Sequence, residues 1–225
     1  MRSTLKRIVP KSVLYHMKHL RTSVDGIAGF YARDFQNLIK HGPGSPKAFQ
    51  LLFVSPFEIN TTLNPKRFSE YDAGRVLPGD WDHSVKDLAQ VKKWVTIYNA
   101  LDNELQWEDS GMFELYSGST KYSPDALKRR YEDLEIVVER IRNDGYLKSR
   151  KDLSPFSFRE RGGIMVHIGA QGNPIFSGDG YHRLALAKIC QLPRIPVSVG
   201  VVHEDAVITG KFKAIQKLTR PSSGA

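Results

Sequence analysis

Gly178-Asp179-Gly180-Tyr181-His182-Arg183 lies where the apolar pattern of the chain changes its period from two to between three and four. Upstream, Ile164, Val166 and Ile168 alternate with Met165 and His167, and Gly172-Asn173-Pro174 turns the chain into Ile175 and Phe176. That pattern predicts a β-hairpin. Downstream, Leu184, Ala185, Leu186, Ala187, Ile189 and Cys190 predict a short buried helix ended by Leu192-Pro193. Ile195, Val197, Val199 and Val201 then alternate as a strand with one buried face. The predicted unit is strand, strand, glycine-rich turn, helix, strand.

Glycines placed where a strand gives way to a helix leave the first helical N–H groups pointing outward with partial positive charge. Such an end is a ready anion site. Asp179 can cap the helix, while His182 and Arg183 in its first turn offer a titratable donor and a bidentate fork for phosphate. The plain alternative is a capping aspartate followed by two solvated helix residues, since glycine-rich turns are common.

Gly180-Tyr181-His182-Arg183, the small-residue helix after it and the Arg194-Ile195-Pro196-Val197 strand resemble the signature of the ParB/sulfiredoxin superfamily. Domains of that superfamily carry a Gly-x-His/Arg-Arg turn, an Ala-rich helix and an Ile-Pro-Val strand. Arg142-Asn143-Asp144-Gly145-Tyr146 is similar to the helix end that precedes their hairpin. The clear resemblance covers residues 124–203, with a fainter echo in a strand near Phe49 to Val54 and in Asn64-Pro65. It implies an α+β fold, a small mixed sheet packed with helices. Residues 1–47 would be a basic helical N-terminal extension, 48–208 the ParB/sulfiredoxin-like domain and 209–225 a basic tail.

Composition bounds the function classes. At 225 residues the chain can bury one good core, and 40% apolar with 25% charged residues is ordinary for a soluble protein. One cysteine, Cys190, excludes an internal disulfide framework and fits a reducing, cytoplasmic compartment. No uncharged apolar run is long enough to span a bilayer, and no apolar signal region is expected at the start. The net charge of +9 is uneven: residues 1–47 hold nine Lys/Arg against Asp25 and Asp34, and 209–225 hold four cations and no acid. The body between them carries −2, so the basic ends rather than the body would meet DNA, RNA or an anionic membrane surface.

Along the chain, an amphipathic helix is expected from Ser12 to Thr22, after Pro10, and a second short one from Ile27 to Ile39. His41-Gly42-Pro43-Gly44-Ser45-Pro46 reads as a linker. Phe49 to Val54 is a buried strand stopped by Pro56, and Asn60 to Asp82 has loop composition. Within that loop, Asp80, Asp82 and His83 surround Trp81, a set able to hold Mg²⁺ or serve as a catalytic base beside a nucleotide. The competing reading makes Asp82 or Ser84 the cap of the next helix, with Trp81 stapled onto the core. Val85, Leu88, Val91, Trp94, Val95, Tyr98 and Leu101 predict that helix over 84–101, and 102–122 lacks periodicity and wraps the surface. Ser123-Pro124-Asp125 starts a further helix that Gly145 stops. After it come Lys148 and Arg150, which either reach phosphates or remain a cationic loop end. His167 has no evident partner, and His203-Glu204 reads as a strand terminus. No Cys/His set has zinc-site spacing, and no repeat is evident.

The superfamily has three branches to weigh. Sulfiredoxins place a nucleophilic cysteine immediately before the His-Arg pair, where this chain has Tyr181; Cys190, on the helix, is no substitute. Chromosome-partitioning ParB proteins continue into a helix-turn-helix region, which the residues after the last strand are too few to supply. A third branch binds ATP or ADP and phosphorylates a small molecule, and Asp179-Gly180-Tyr181-His182-Arg183 is similar to its turn, with the histidine one place later. By that resemblance, Gly178, Gly180, Tyr181, His182 and Arg183, with Lys148 or Arg150, would bind the phosphates of ATP, ADP or CTP. His182 would polarise the phosphoryl, Asp179 or Asp80 would take the acceptor proton, and Mg²⁺ on Asp80 and Asp82 would bridge the phosphates. The expected function is a nucleotide-dependent phosphotransferase acting on a small or membrane-linked acceptor. The alternative is a noncatalytic or CTPase-type ParB-like module holding DNA or RNA through its basic ends.

Overall fold

A computed structural model describes residues 11–101, 107–116 and 123–219, over 11–25 as backbone alone. The cations Arg2, Lys6, Arg7 and Arg220 and part of the 102–122 stretch lie outside the described residues. The protein is an α+β fold, with eight α-helices and a seven-stranded mixed sheet among the described residues.

The predicted unit forms as expected: β5 (Ile164–Ile168) and β6 (Pro174–Phe176) are an antiparallel hairpin, α6 (Tyr181–Ile189) follows the glycine turn, and β7 (Ile195–His203) returns parallel to β5. β7 departs from expectation in one respect: all nine of its residues are buried, not one face. The sheet is covered on both sides, as parallel central strands require. Ile164, Val166, Ile168, Val197 and Val199 pack with α6, with α2 (Lys92–Leu101) and with α4 (Pro124–Asp144). Met165 packs instead with Phe30 and Phe49, while Ile175 and Val201 pack with Trp81. A register shift between Val166 and Ile168 along β7 accompanies this change of face.

The remaining strands complete the sheet in the order β1-β7-β5-β6-β2-β4. β1 (Leu51–Val54) pairs antiparallel with β7, and β3 (Val76–Leu77) pairs with β7 further along. β2 (Thr61–Leu63) joins β6 in parallel and β4 (Val85–Asp87) antiparallel. Two expectations fail here. Asn60 to Asp82 is not all loop, since it supplies β2 and β3; and 84–101 is not one helix, since its first residues form β4. Spacing of 85, 88 and 91 suits a helix, but Val85 is exposed and the open edge of β2 takes the segment as a partner. Neither Asp82 nor Ser84 caps α2; Asp87 accepts the N–H of Ala89 and starts a single 3₁₀ turn ahead of it.

The N-terminal extension is one continuous helix, α1 (Lys11–His41), not two, and it runs through Gly26 and Gly29. Its C-terminal half docks on the domain: Asn37 donates to the carbonyls of Pro46 and Gly74, and Asp34 accepts the N–H of Ala48 and pairs with Arg159. The expected linker 41–46 is therefore packed, with Ser45 and Pro46 buried. At the other end, α7 (Glu204–Ile208) and α8 (Lys211–Gln216) follow β7, and Phe212 of α8 is 1% exposed in the main core. A boundary at 208 would cut that core. Within 102–122, the described segment does more than wrap: α3 (Met112–Tyr116) buries Met112 completely. The α4 caps form as read, with Ser123 accepting the N–H of Ala126 and Gly145 left-handed at φ 69°.

His167 does have a partner. It is 1% exposed, and its Nδ1 accepts the N–H of Val201 at 3.0 Å. Burial first, and Lys66 second, hold its pKa down at about 4. Its pKa in the unfolded chain is the higher one, so the stability from the neutral ring is whole above about pH 6.5 and declines as pH falls toward about 4. Urea unfolding at stepped pH is expected to show a loss of up to about 3 kcal/mol across that window, smaller in His167→Gln. Phe176→Ala, which empties a fully buried ring, is expected to cost about 3–5 kcal/mol in the same measurement.

Candidate functional site

The turn between β6 and α6 depends on backbone contact. Gly180 has φ 93°, and a Cβ built there would stand 2.9 Å from Ile164 Cα and 3.1 Å from Gly163 O. Any side chain would push the turn off the start of β5. Gly163 is equally tight, its Cβ position lying 2.6 Å from Glu160 Oε1. The turn is laced to β5, with Met165 N–H donating to Asp179 O and Ser177 N–H to Met165 O. Leu184 N–H makes the first helical bond, to Gly180 O, so the N–H groups of Tyr181, His182 and Arg183 precede any acceptor one turn back.

These residues line a cleft of about 750 Å³. Gly178, Asp179, Gly180, Tyr181, His182 and Arg183 all line it. Asp179 does not cap α6. Gly180 holds the cap position without a side-chain bond, and Asp179 Oδ2 instead accepts from Ser177 Oγ at 3.2 Å.

The walls add residues that sequence reading missed. Lys66, from the loop after β2, places Nζ 3.9 Å from Asp179 Oδ1. Lys93, at the start of α2, stands over the Tyr181 ring at 4.7 Å. Ser198 of β7 lines the cleft with a buried Oγ that has no hydrogen-bond partner, and Phe49 and Met165 give it an apolar side. The only sequence signal for Lys66 was its place after Asn64-Pro65, and for Lys93 its place on the polar side of a helix start.

His182 Nε2 lies 3.2 Å from the hydroxyl of Tyr131, which donates to Met112 Sδ at 3.3 Å. That contact fixes the angle of the imidazole, with either group as donor according to the ring's tautomer. Arg183 donates through Nη2 to the Lys148 carbonyl, while its Nε is buried without a hydrogen-bond partner. Burial lowers the Arg183 pKa from the usual guanidinium range, Glu160 opposes that and Arg150 adds to it. Glu160 is fully buried behind it, both carboxylate oxygens on the Arg150 N–H. Burial raises its carboxyl pKa, against the pull of that N–H and of Arg183.

Lys148 and Arg150 do not reach the cleft. Lys148 lends Arg183 its carbonyl and turns its Nζ to Asp144 at 3.8 Å, and Arg150 is half-buried with its Nε enclosed beside Gly162. They form a layer behind Arg183 because Ser149 caps α5 (Arg150–Leu153) and bends the chain inward.

Asp80 and Asp82 are elsewhere too. Asp82 accepts the N–H of Ala170, beyond the far end of β5, a strand length of about 15 Å from the Gly163 end. There it lies 3.9 Å from His203 Nε2 and from His83 Nε2, and Asp80 is exposed. His203 is more than a strand end, since its Nδ1 accepts the Asp205 N–H and caps α7. Asp80 and Asp82 therefore cannot serve the cleft as base or metal ligands. Among the described residues no group of three or more His, Cys, Asp or Glu is placed to hold a metal ion. Comparison with protein-family models, curated proteins and solved structures finds no match for the chain.

Gly180→Ala is expected to destabilise the protein by roughly 1–3 kcal/mol, from a strained φ and the clash with Ile164. Chemical denaturation checks it.

Proposed function

We propose that the cleft binds a nucleotide and transfers its terminal phosphoryl group to a small or membrane-linked acceptor, as a ParB/sulfiredoxin-like phosphotransferase. The observation that carries this reading is the meeting of the open α6 N-terminus with Lys66, Lys93 and the partnerless Nε of Arg183 in one cleft. Buried donors left unpaired are costly, and an anion bound there would remove the cost.

A nucleotide fits this donor set. Phosphates lie against the N–H groups at the start of α6, with Lys66 and Lys93 on the rim, and the base meets Phe49 and Met165. Gly180 and Gly163 leave the backbone bare where the phosphates approach. His182, oriented by Tyr131, donates to the transferred phosphoryl and neutralises charge as it develops. Asp179 takes the acceptor proton; Asp80 has no part. Mg²⁺, when bound with the nucleotide, would screen the phosphate charge; the cleft offers it no set of carboxylates, Asp179 being the base and Glu70 being paired with Arg161 at 2.8 Å.

A second reading, a module that holds DNA or RNA, rests on the meeting of the two basic ends: the chain just after α1 passes Gln216 of α8 at Gly44. It predicts salt-steep association that survives His182→Ala.

A thermal-shift panel of ATP, ADP, CTP and GTP with and without Mg²⁺ tests the first reading, since a ligand of the native state raises the melting point. A shift of several degrees is expected with at least one nucleotide, abolished in Lys66→Ala/Lys93→Ala. Turnover of that nucleotide is expected to fall about a hundredfold or more in His182→Ala. No shift with any of the four sinks the reading.

A further inference from the structure

α1 runs unbroken for 31 residues, about 46 Å, and only one flank of its C-terminal half is used by the domain. Phe30, Asp34 and Asn37 on that flank are buried. A second flank carries Tyr31, Phe35, Leu38 and Ile39, which are 56%, 63%, 47% and 70% exposed. Their spacing of four, three and one puts all four on one side of the helix. Tyr31 meets Phe158 edge-on at 5.7 Å and still leaves most of its surface open. In the sequence the same spacing of three and four continues upstream through Val13, Met17, Leu20, Val24 and Ile27, all within the helix.

We propose that this apolar stripe lies in the plane of an anionic lipid surface and anchors the protein there. Charge argues for that occupant: residues 1–47 hold nine Lys/Arg against two Asp, and a face of anionic headgroups is the complement of such a segment. A second copy would set these cations against their like. Nucleic acid would call for polar and cationic side chains on this stripe, where Tyr31, Phe35, Leu38 and Ile39 are aromatic and aliphatic instead. No described helix is long and apolar enough to cross a membrane, so α1 lies on the surface rather than through it. Phe30, on the docked flank, packs edge-on against Phe49 at 5.0 Å, and Phe49 lines the cleft. The anchor therefore stands one aromatic layer from the cleft and brings its mouth near a lipid-borne acceptor. The anchoring does not depend on what the cleft binds.

Vesicle flotation of the full chain tests it, with phosphatidylcholine containing about one third phosphatidylglycerol against phosphatidylcholine alone. The chain is expected to float with the anionic vesicles and about tenfold less with the neutral ones. Phe35→Ser/Leu38→Ser is expected to lower partition by about tenfold or more, and Ile39→Ser alone by about threefold, with the nucleotide thermal shift and melting point unchanged. Equal flotation of wild type and double variant overturns the proposal. So does failure of the wild type to float, or a vesicle-free dimer that the same double substitution splits into monomers. Loss of the nucleotide shift with flotation intact would sink the cleft reading alone.

Discussion

The approach of Gly180 to the backbone of Gly163 and Ile164 is the constraint on which the rest depends. It lets α6 begin directly on the end of a central strand, so the helix starts over the sheet edge and not out in solvent. From that placement follow the buried Leu184 to Ala187 face, the closing of β7 against β5, and a helix N-terminus without a side-chain cap at the wall of a cleft. A methyl group at 180 would disturb all three.

A second consequence concerns charge. Arg183 is drawn into the wall by the same turn, and its neighbourhood is built to keep a guanidinium in a dry place. Lys148 contributes a carbonyl, and Glu160 a fully buried carboxylate one layer back. Desolvation disfavours both charges; Glu160 is the relief Arg183 has, while Glu160 is relieved first by the Arg150 N–H and then by Arg183. The arrangement leaves Arg183 Nε buried without a hydrogen-bond partner. His182 is likewise held from behind, by Tyr131 of α4, so the two side chains that follow the glycine turn are both fixed by groups from distant parts of the chain.

The opposite end of β5 shows how misleading local composition can be. Asp80, Asp82 and His83 look chemical because polar groups crowd there, yet Asp82 is occupied with Ala170 and lies near His203. Asp82 alone of the three fastens the loop before β4 to the sheet, through the Ala170 N–H. Helix α1 misleads in the other direction: glycines at 26 and 29 suggest a break, but hydrogen bonds of Arg33, Asp34 and Asn37 to the 46–74 region hold the downstream half straight.

By itself the sequence determined the hairpin, the glycine turn, α6, β7 and the capped helix α4, because each is set by period, cap or glycine within a few residues. It also determined that the turn would offer N–H groups and that His182 and Arg183 would stand in its first turn. Only the tertiary structure decided which distant residues share that cleft: it brought in Lys66, Lys93 and Ser198, and turned Lys148, Arg150, Asp80 and Asp82 away. It alone made β4 of a stretch with helical spacing, and left Tyr31, Phe35, Leu38 and Ile39 of α1 exposed. Those outcomes depend on the order of strands in the sheet and on which edges remain to be paired, and pairing between segments far apart in the chain leaves no periodic mark in either one.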